Sequence, residues 1–147
     1  MELVCSNFNI NDYIYSCLVV VTPPKPVNSE AFTLYDEDII KQILTDDDLL
    51  NSKIYNQPLS TLKRNGKKIN YFYFISSLRN EECNKALKRI VPKINLEYIN
   101  SIIDGMPVTD LQKQFYKIIL KSRKEKILDY SYNKLLSTRT EKMNIGL

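Results

Sequence analysis

The stretch Ile54–Phe74, IYNQPLSTLKRNGKKINYFYF, decides how the chain is to be read. Lys63, Arg64, Lys67 and Lys68 flank Asn65-Gly66, and four aromatic residues, Tyr71 to Phe74, follow at once. Cations on phosphates with rings under bases would make a nucleic-acid surface. The same letters also spell a turn that feeds a helix. Asn-Gly adopts positive φ at little cost, Asn70 is a good N-cap, and Phe74, Ile75 and Leu78 are spaced like one helical face. The aromatic run has strand character as well, but cap and spacing together predict a helix over Ile69–Leu78 with a core-facing pair of rings.

Helical signals continue on both sides. Upstream, Asp36-Glu37-Asp38 places negative charge in a first turn ahead of Ile39, Ile40, Ile43 and Leu44. Thr45 followed by Asp46-Asp47-Asp48 reads as a second helix start, running to about Asn51. Downstream, Asn80 with Glu81 and Glu82 opens a helix to about Val91, ahead of Pro92. Asn95 caps a short helix with Leu96, Ile99, Ile102 and Ile103 on one side, stopped by Gly105 and Pro107. Thr109-Asp-Leu-Gln112 is a capping box, and Leu111, Phe115, Ile118, Ile119, Ile127 and Leu135 prolong its apolar stripe to about Leu136. Phe74, Ile99, Ile102, Phe115 and Ile119 are the expected shared core. The exception lies at the front. Tyr13–Val21 is rich in aromatic and β-branched residues and reads as a strand, and Pro23-Pro24-Lys25-Pro26 is a linker.

Composition removes whole classes of chemistry. The chain has 147 residues, no histidine and three glycines. Without histidine there is no Ser-His-Asp or Cys-His pair and no imidazole base or ligand. Scarce glycine argues against phosphate-cradling loops, and neither G-x-x-x-x-G-K-[ST] nor G-x-G-x-x-G occurs. Cys5, Cys17 and Cys83 are odd in number and lack C-x-x-C spacing, so free thiols are expected rather than zinc or disulfides. No apolar run reaches the length of a membrane span or a signal-peptide core, so a cytoplasmic protein without membrane contact is expected. Asp46-Asp47-Asp48 lacks the alternating ligand spacing of a calcium loop and is read as a helix start. No catalytic, cofactor or metal residue is assigned.

Charge is uneven. Residues 1–75 hold seven Lys/Arg against nine Asp/Glu, and residues 76–147 hold fourteen against eight, a balance of −2 and +6. Among the last group, Lys117, Lys121, Arg123 and Lys124, within a series from Lys113 to Lys126, form the candidate partner-binding ridge. A solvated helix face accounts for the same series.

The region from about Leu50 to Leu136 resembles the C-terminal helical subdomain of HipA-like serine/threonine kinases, in the CtkA-like branch. The residues that carry the resemblance are Lys53-Ile-Tyr-Asn56, Lys67-Lys-Ile-Asn-Tyr71, Ala86-Leu87 and Arg89-Ile90. Pro92-x-Ile94, Ser101-Ile-Ile-Asp104, Pro107, Lys113-x-Phe115, Arg123-Lys124 and Lys126-Ile127 follow in the same order, and a fainter likeness reaches Leu34-Tyr35. The resemblance implies an all-helical lobe in which Arg64–Lys68 is a connector and Phe74 and Ile75 are core. The nucleic-acid reading of the opening stretch thereby loses ground.

Kinases of this kind also need a phosphate loop with its lysine, a catalytic Asp beside a magnesium-binding Asn, and a second metal-binding Asp. Asn9-Ile-Asn11-Asp12 has the right residue types without the flanking pattern, and no role is carried onto it. Residues 1–33 are read as a segment of unknown role in place of the kinase core, and residues 34–147 as the helical domain. The expected fold is mainly α, with a short strand or hairpin near residues 13–21. The expected function is a non-catalytic interaction or regulatory protein. Its partner would be a HipA-like kinase part, an antitoxin or a defence complex. The alternatives are one part of a split kinase or toxin–antitoxin system, active only with a partner chain, and a phage-borne inhibitor of host defence.

Overall fold

The computed structural model describes residues 36–57 and 60–145. The expected strand at 13–21, the proline linker, Asn9–Asp12 and the boundary at residue 33 lie outside the described residues.

Each helix begins where a short polar side chain can accept its first free N–H groups. Asp36 caps α1 (Glu37–Thr45), and Asp46 caps α2 (Asp47–Tyr55) through both Asp48 and Leu49. Asp46 therefore takes the capping role, while Thr45 closes α1 and donates its hydroxyl to the Lys41 carbonyl at 2.8 Å. α2 also extends a turn past the expected Asn51, because continuing it buries Ile54 completely. A hairpin of two short antiparallel strands, β1 (Lys63–Arg64) and β2 (Lys67–Lys68), comes next. Asn65 and Gly66 stand at φ 51° and 75°, the positive pair of a tight primed turn. The connector expected from the resemblance is thus a hairpin.

The aromatic run is helical, as the spacing predicts. α3 (Tyr71–Ser76) is capped by Asn70, whose side chain accepts from the Tyr73 N–H and donates to the Tyr55 carbonyl at 2.9 Å. One asparagine thus starts α3 and closes α2 against it. Tyr71 and Phe74 are buried, Phe72 is half-buried, and Tyr73 is 73% exposed. α4 (Glu81–Ile90) is capped by Asn80 and runs into a 3₁₀ turn at Val91–Lys93. α5 (Leu96–Asp104) is capped by Asn95. The Thr109–Gln112 capping box is present with both reciprocal bonds and starts α6 (Asp110–Arg123).

α6 does not stop at Leu136. It passes through a π-helical segment, Lys124–Asp129, into α7 (Tyr130–Ile145). This long helix is the spine of the domain. Its first half packs on α1, α2 and α5, and its second half on α3 and α4. The inward positions explain the π segment. Phe115, Ile119, Arg123, Ile127 and Ser131 are buried, and Leu135 packs against the same core. That is a strict four-residue period. In a regular α-helix each such step overshoots a turn by about 40°, so five steps would swing the stripe about 200° off the core. A segment with i→i+5 bonding turns less per residue and brings the second half back into phase. Lys124 and Asp129, five apart, meet across it at 2.7 Å.

One core expectation needs correction. Phe74, Phe115 and Ile119 are buried and Ile99 is partly so, but Ile102 is 52% exposed. α5 leans on α6 through Ile99 and Ile103, four apart, and Ile102 falls about 100° to the side of Ile103.

Two outcomes follow from this packing. Phe115→Ala should destabilise the protein by about 3–5 kcal/mol in chemical denaturation, whereas Ile102→Ala should change it by under about 0.5 kcal/mol. Deleting Lys126, exposed within the π segment, should let the helix wind as regular α with Ile127 to Leu135 still inward. Thermal melts are then expected to show a smaller loss for this deletion than for an alanine inserted after Lys126. The reverse order would mean that the π winding does not set the phase.

Candidate functional site

Where the hairpin meets α3 and α7, the chain leaves an open cleft of about 520 Å³. Its positive wall is Arg64 from β1, Arg79 just past α3, and Lys134 from α7. Ser76 and Ser77 contribute hydroxyls, and Phe72, Tyr73 and Tyr130 contribute rings. Among the described residues that line it, none is acidic. Phe72 is held edge-on by Tyr55 at 5.0 Å between centroids and lies 5.9 Å from Tyr130. Lys134 donates to the Ser76 carbonyl at 2.8 Å, which places a cation at the C-terminal end of α3. Arg64 Nε is shielded from solvent and has no hydrogen-bond partner among the described residues.

The rim of the cleft is shaped by an unusual helix exit. Leu78 has φ 56°, a conformation that glycine normally supplies at this point. The leucine side chain packs on the core. The buried Asn84 side chain then fixes the Leu78 carbonyl with a 2.9 Å bond. Arg79, the next residue, is thereby held at the cleft edge.

The cations singled out in the sequence behave otherwise. Arg123 is 4% exposed and donates from Nη2 to the Lys53 carbonyl at 2.8 Å, so it ties α6 to α2 and is not part of a surface ridge. Lys117 is 2.6 Å from Asp104, and Lys113 donates to the carbonyl of the same residue at 2.9 Å. Both therefore fasten the end of α5 to α6. Lys124 is engaged with Asp129 in a pair less than one-third exposed. Lys121 lies 3.9 Å from Glu125 on the surface, a contact of small value. The four do not converge on one open face. Arg79 and Lys134 stand far apart in the chain, so no local spacing links them, and Arg64 reads in the sequence only as part of a turn.

Among the described residues, carboxylates and thiols give no second site. Among the described residues no three His, Cys, Asp or Glu side chains come together to hold a metal. Asp46 of the acidic run is spent on capping. No helix among the described residues is long and apolar enough to cross a membrane. Cys83 is buried, and loss of hydration pushes its thiol from 9.0 up to about 12. The folded state thus holds its proton where the unfolded chain releases it. This contribution to stability is complete below pH 9.0 and is lost as pH rises towards about 12. The stability gap between wild type and Cys83→Ala, read from denaturant midpoints, should therefore narrow across that window.

No family model matches the chain. A curated relative does: the serine/threonine-protein kinase CtkA of Helicobacter pylori is 40% identical over 103 residues, 69% of this chain. The match spans about a third of that kinase, 32% of its length. The fold agrees independently. The crystal structure of a Helicobacter pylori proinflammatory kinase CtkA superimposes with a TM-score of 0.68 and 37% identity, covering 73% of this chain and 37% of the kinase. The helical architecture built around the long α6–α7 spine is therefore that of one part of CtkA, and the likeness to the helical region of a HipA-like kinase is shown in both sequence and fold.

Proposed function

We propose that this chain is a protein-interaction or regulatory module built on the helical lobe of a HipA-like kinase, and that it transfers no phosphoryl group by itself. The observation that carries the reading is the extent of the likeness, confined to about a third of CtkA. Phosphoryl transfer is almost wholly positioning and electrostatics. It needs a backbone cradle for the phosphates, acids that hold magnesium and a residue that orients the attacking hydroxyl. The 147 residues contain no histidine and three glycines, and no glycine-rich phosphate loop. A helical lobe can still recognise what a kinase recognises, because its surface exists without the chemistry. The partner on this reading is another protein in the cytoplasm: a HipA-like kinase part, an antitoxin or a defence complex.

The same partial coverage also favours a second reading, in which this chain is one part of a split kinase completed by a partner chain. Affinity for ATP and magnesium that appears only in a complex would select it.

The first test is direct. The purified chain with radiolabelled ATP and magnesium should show neither autophosphorylation nor transfer to a generic protein substrate. Stoichiometric label on one of its own Ser or Thr residues would overturn the proposal.

A further inference from the structure

The hairpin is built against its own electrostatics. Its register sets Lys63 opposite Lys68 and Arg64 opposite Lys67, so both cross-strand pairs are cation on cation. Like charges in direct opposition weaken a strand pair. None of the four has a carboxylate partner among the described residues. Lys63, Lys67 and Lys68 are exposed. Arg64 turns to the cleft, where Arg79 and Lys134 add to it and no acid among the described lining residues offsets them. Three cations, Arg64, Arg79 and Lys134, thus line one concave place that contains hydroxyls and rings, and Lys67 shares the strand face of Arg64.

We propose that the hairpin and this cleft form the docking site for an acidic peptide segment of a partner protein. The proposal deepens the interaction-module reading and rests on it. Charge complementarity sets the sign of the occupant. Arginine forks at 64 and 79 suit carboxylates in two-point contact. The rings set the rest of its character, since Tyr73 is 73% and Tyr130 50% exposed beside the cations. An aromatic or aliphatic residue flanked by Asp or Glu fits that mixture. A short segment fits better than a nucleic acid. The positive charge is local: the whole chain carries only +4, and the exposed acids of Asp36–Asp38 and Asp46–Asp48 oppose an extended polyanion track.

The test uses the full chain and a fluorescein-labelled peptide of Asp and Glu with one central Phe, read by anisotropy. A single-stranded oligonucleotide of equal charge serves as competitor. Binding that weakens at least tenfold in the double variant Arg64→Ala/Arg79→Ala, and that falls with added salt, is the expected result. A second readout separates docking from folding. Lys67→Glu, opposite Arg64, replaces a repulsive pair by an attractive one, so it should raise the melting temperature by a few degrees while weakening the peptide. A rise in melting temperature with unchanged affinity would overturn the proposal, and so would a fall in melting temperature. Tighter binding of the oligonucleotide than of the peptide would replace it with nucleic-acid recognition. Label on the chain from ATP would sink the non-catalytic reading while leaving these binding results untouched, so the two can fail separately.

Discussion

A single helix must keep one face inward against two different sets of partners, and the rest of the domain is arranged around that requirement. α1, α2 and α5 press on its first half and α3 and α4 on its second. Inward positions every four residues from Phe115 to Leu135 cannot stay on one side of a regular α-helix of that length. Underwinding at Lys124–Asp129 reconciles the spacing with the packing. The π segment also falls where the helix changes partners, which makes it the point where its two halves are set in register.

Polar groups near that junction are placed so that the irregularity is satisfied. Arg123, just before it, gives a buried guanidinium donor to the Lys53 carbonyl in the last turn of α2. Removing such a partner would leave a buried polar group unpaired, which costs about 1–3 kcal/mol. Just after it, the buried Ser131 hydroxyl returns to the Ile127 carbonyl at 2.6 Å. Asn70, at the same end of α2, and Asn84, beyond α3, do comparable work, each holding a carbonyl at the end of a helical segment. Short amides and long cations thus share the task of joining helix ends to their neighbours, Lys134 doing so at the Ser76 carbonyl.

Much of this was legible because helix starts and turns are written locally. The caps Asn70, Asn80, Asn95 and Thr109 sit where the sequence places them, and Asn65-Gly66 makes the expected turn. Phase was less legible. Ile102 looked equivalent to Ile99 and Ile103 because a short helix read alone does not say which side its neighbour takes. The π segment left a trace in the four-residue spacing, but a list of apolar residues hides it, since Arg123 and Ser131 occupy two of the inward positions. The cleft was the least visible feature. Its cations come from three separated stretches, and one of them belongs to a turn that reads as a plain connector.

The hairpin and the spine illustrate opposite uses of charge. Along the spine, cations are committed: Lys117 to Asp104, Lys124 to Asp129, Arg123 to a backbone carbonyl. In the hairpin they are stacked against each other. A two-stranded ribbon this short has little stability of its own, so it stands because its base is fixed. Leu62 is buried and its carbonyl accepts from Ile69, while the Tyr71 hydroxyl meets both the backbone N–H and the hydroxyl of Thr61. With the base secured by the core and the turn made by Asn65-Gly66, folding does not dictate the four strand residues between them. Four cations at such a place are free to answer to something outside the domain, which is why the proposed docking surface is laid on the ladder and its cleft and not on the cationic helix face.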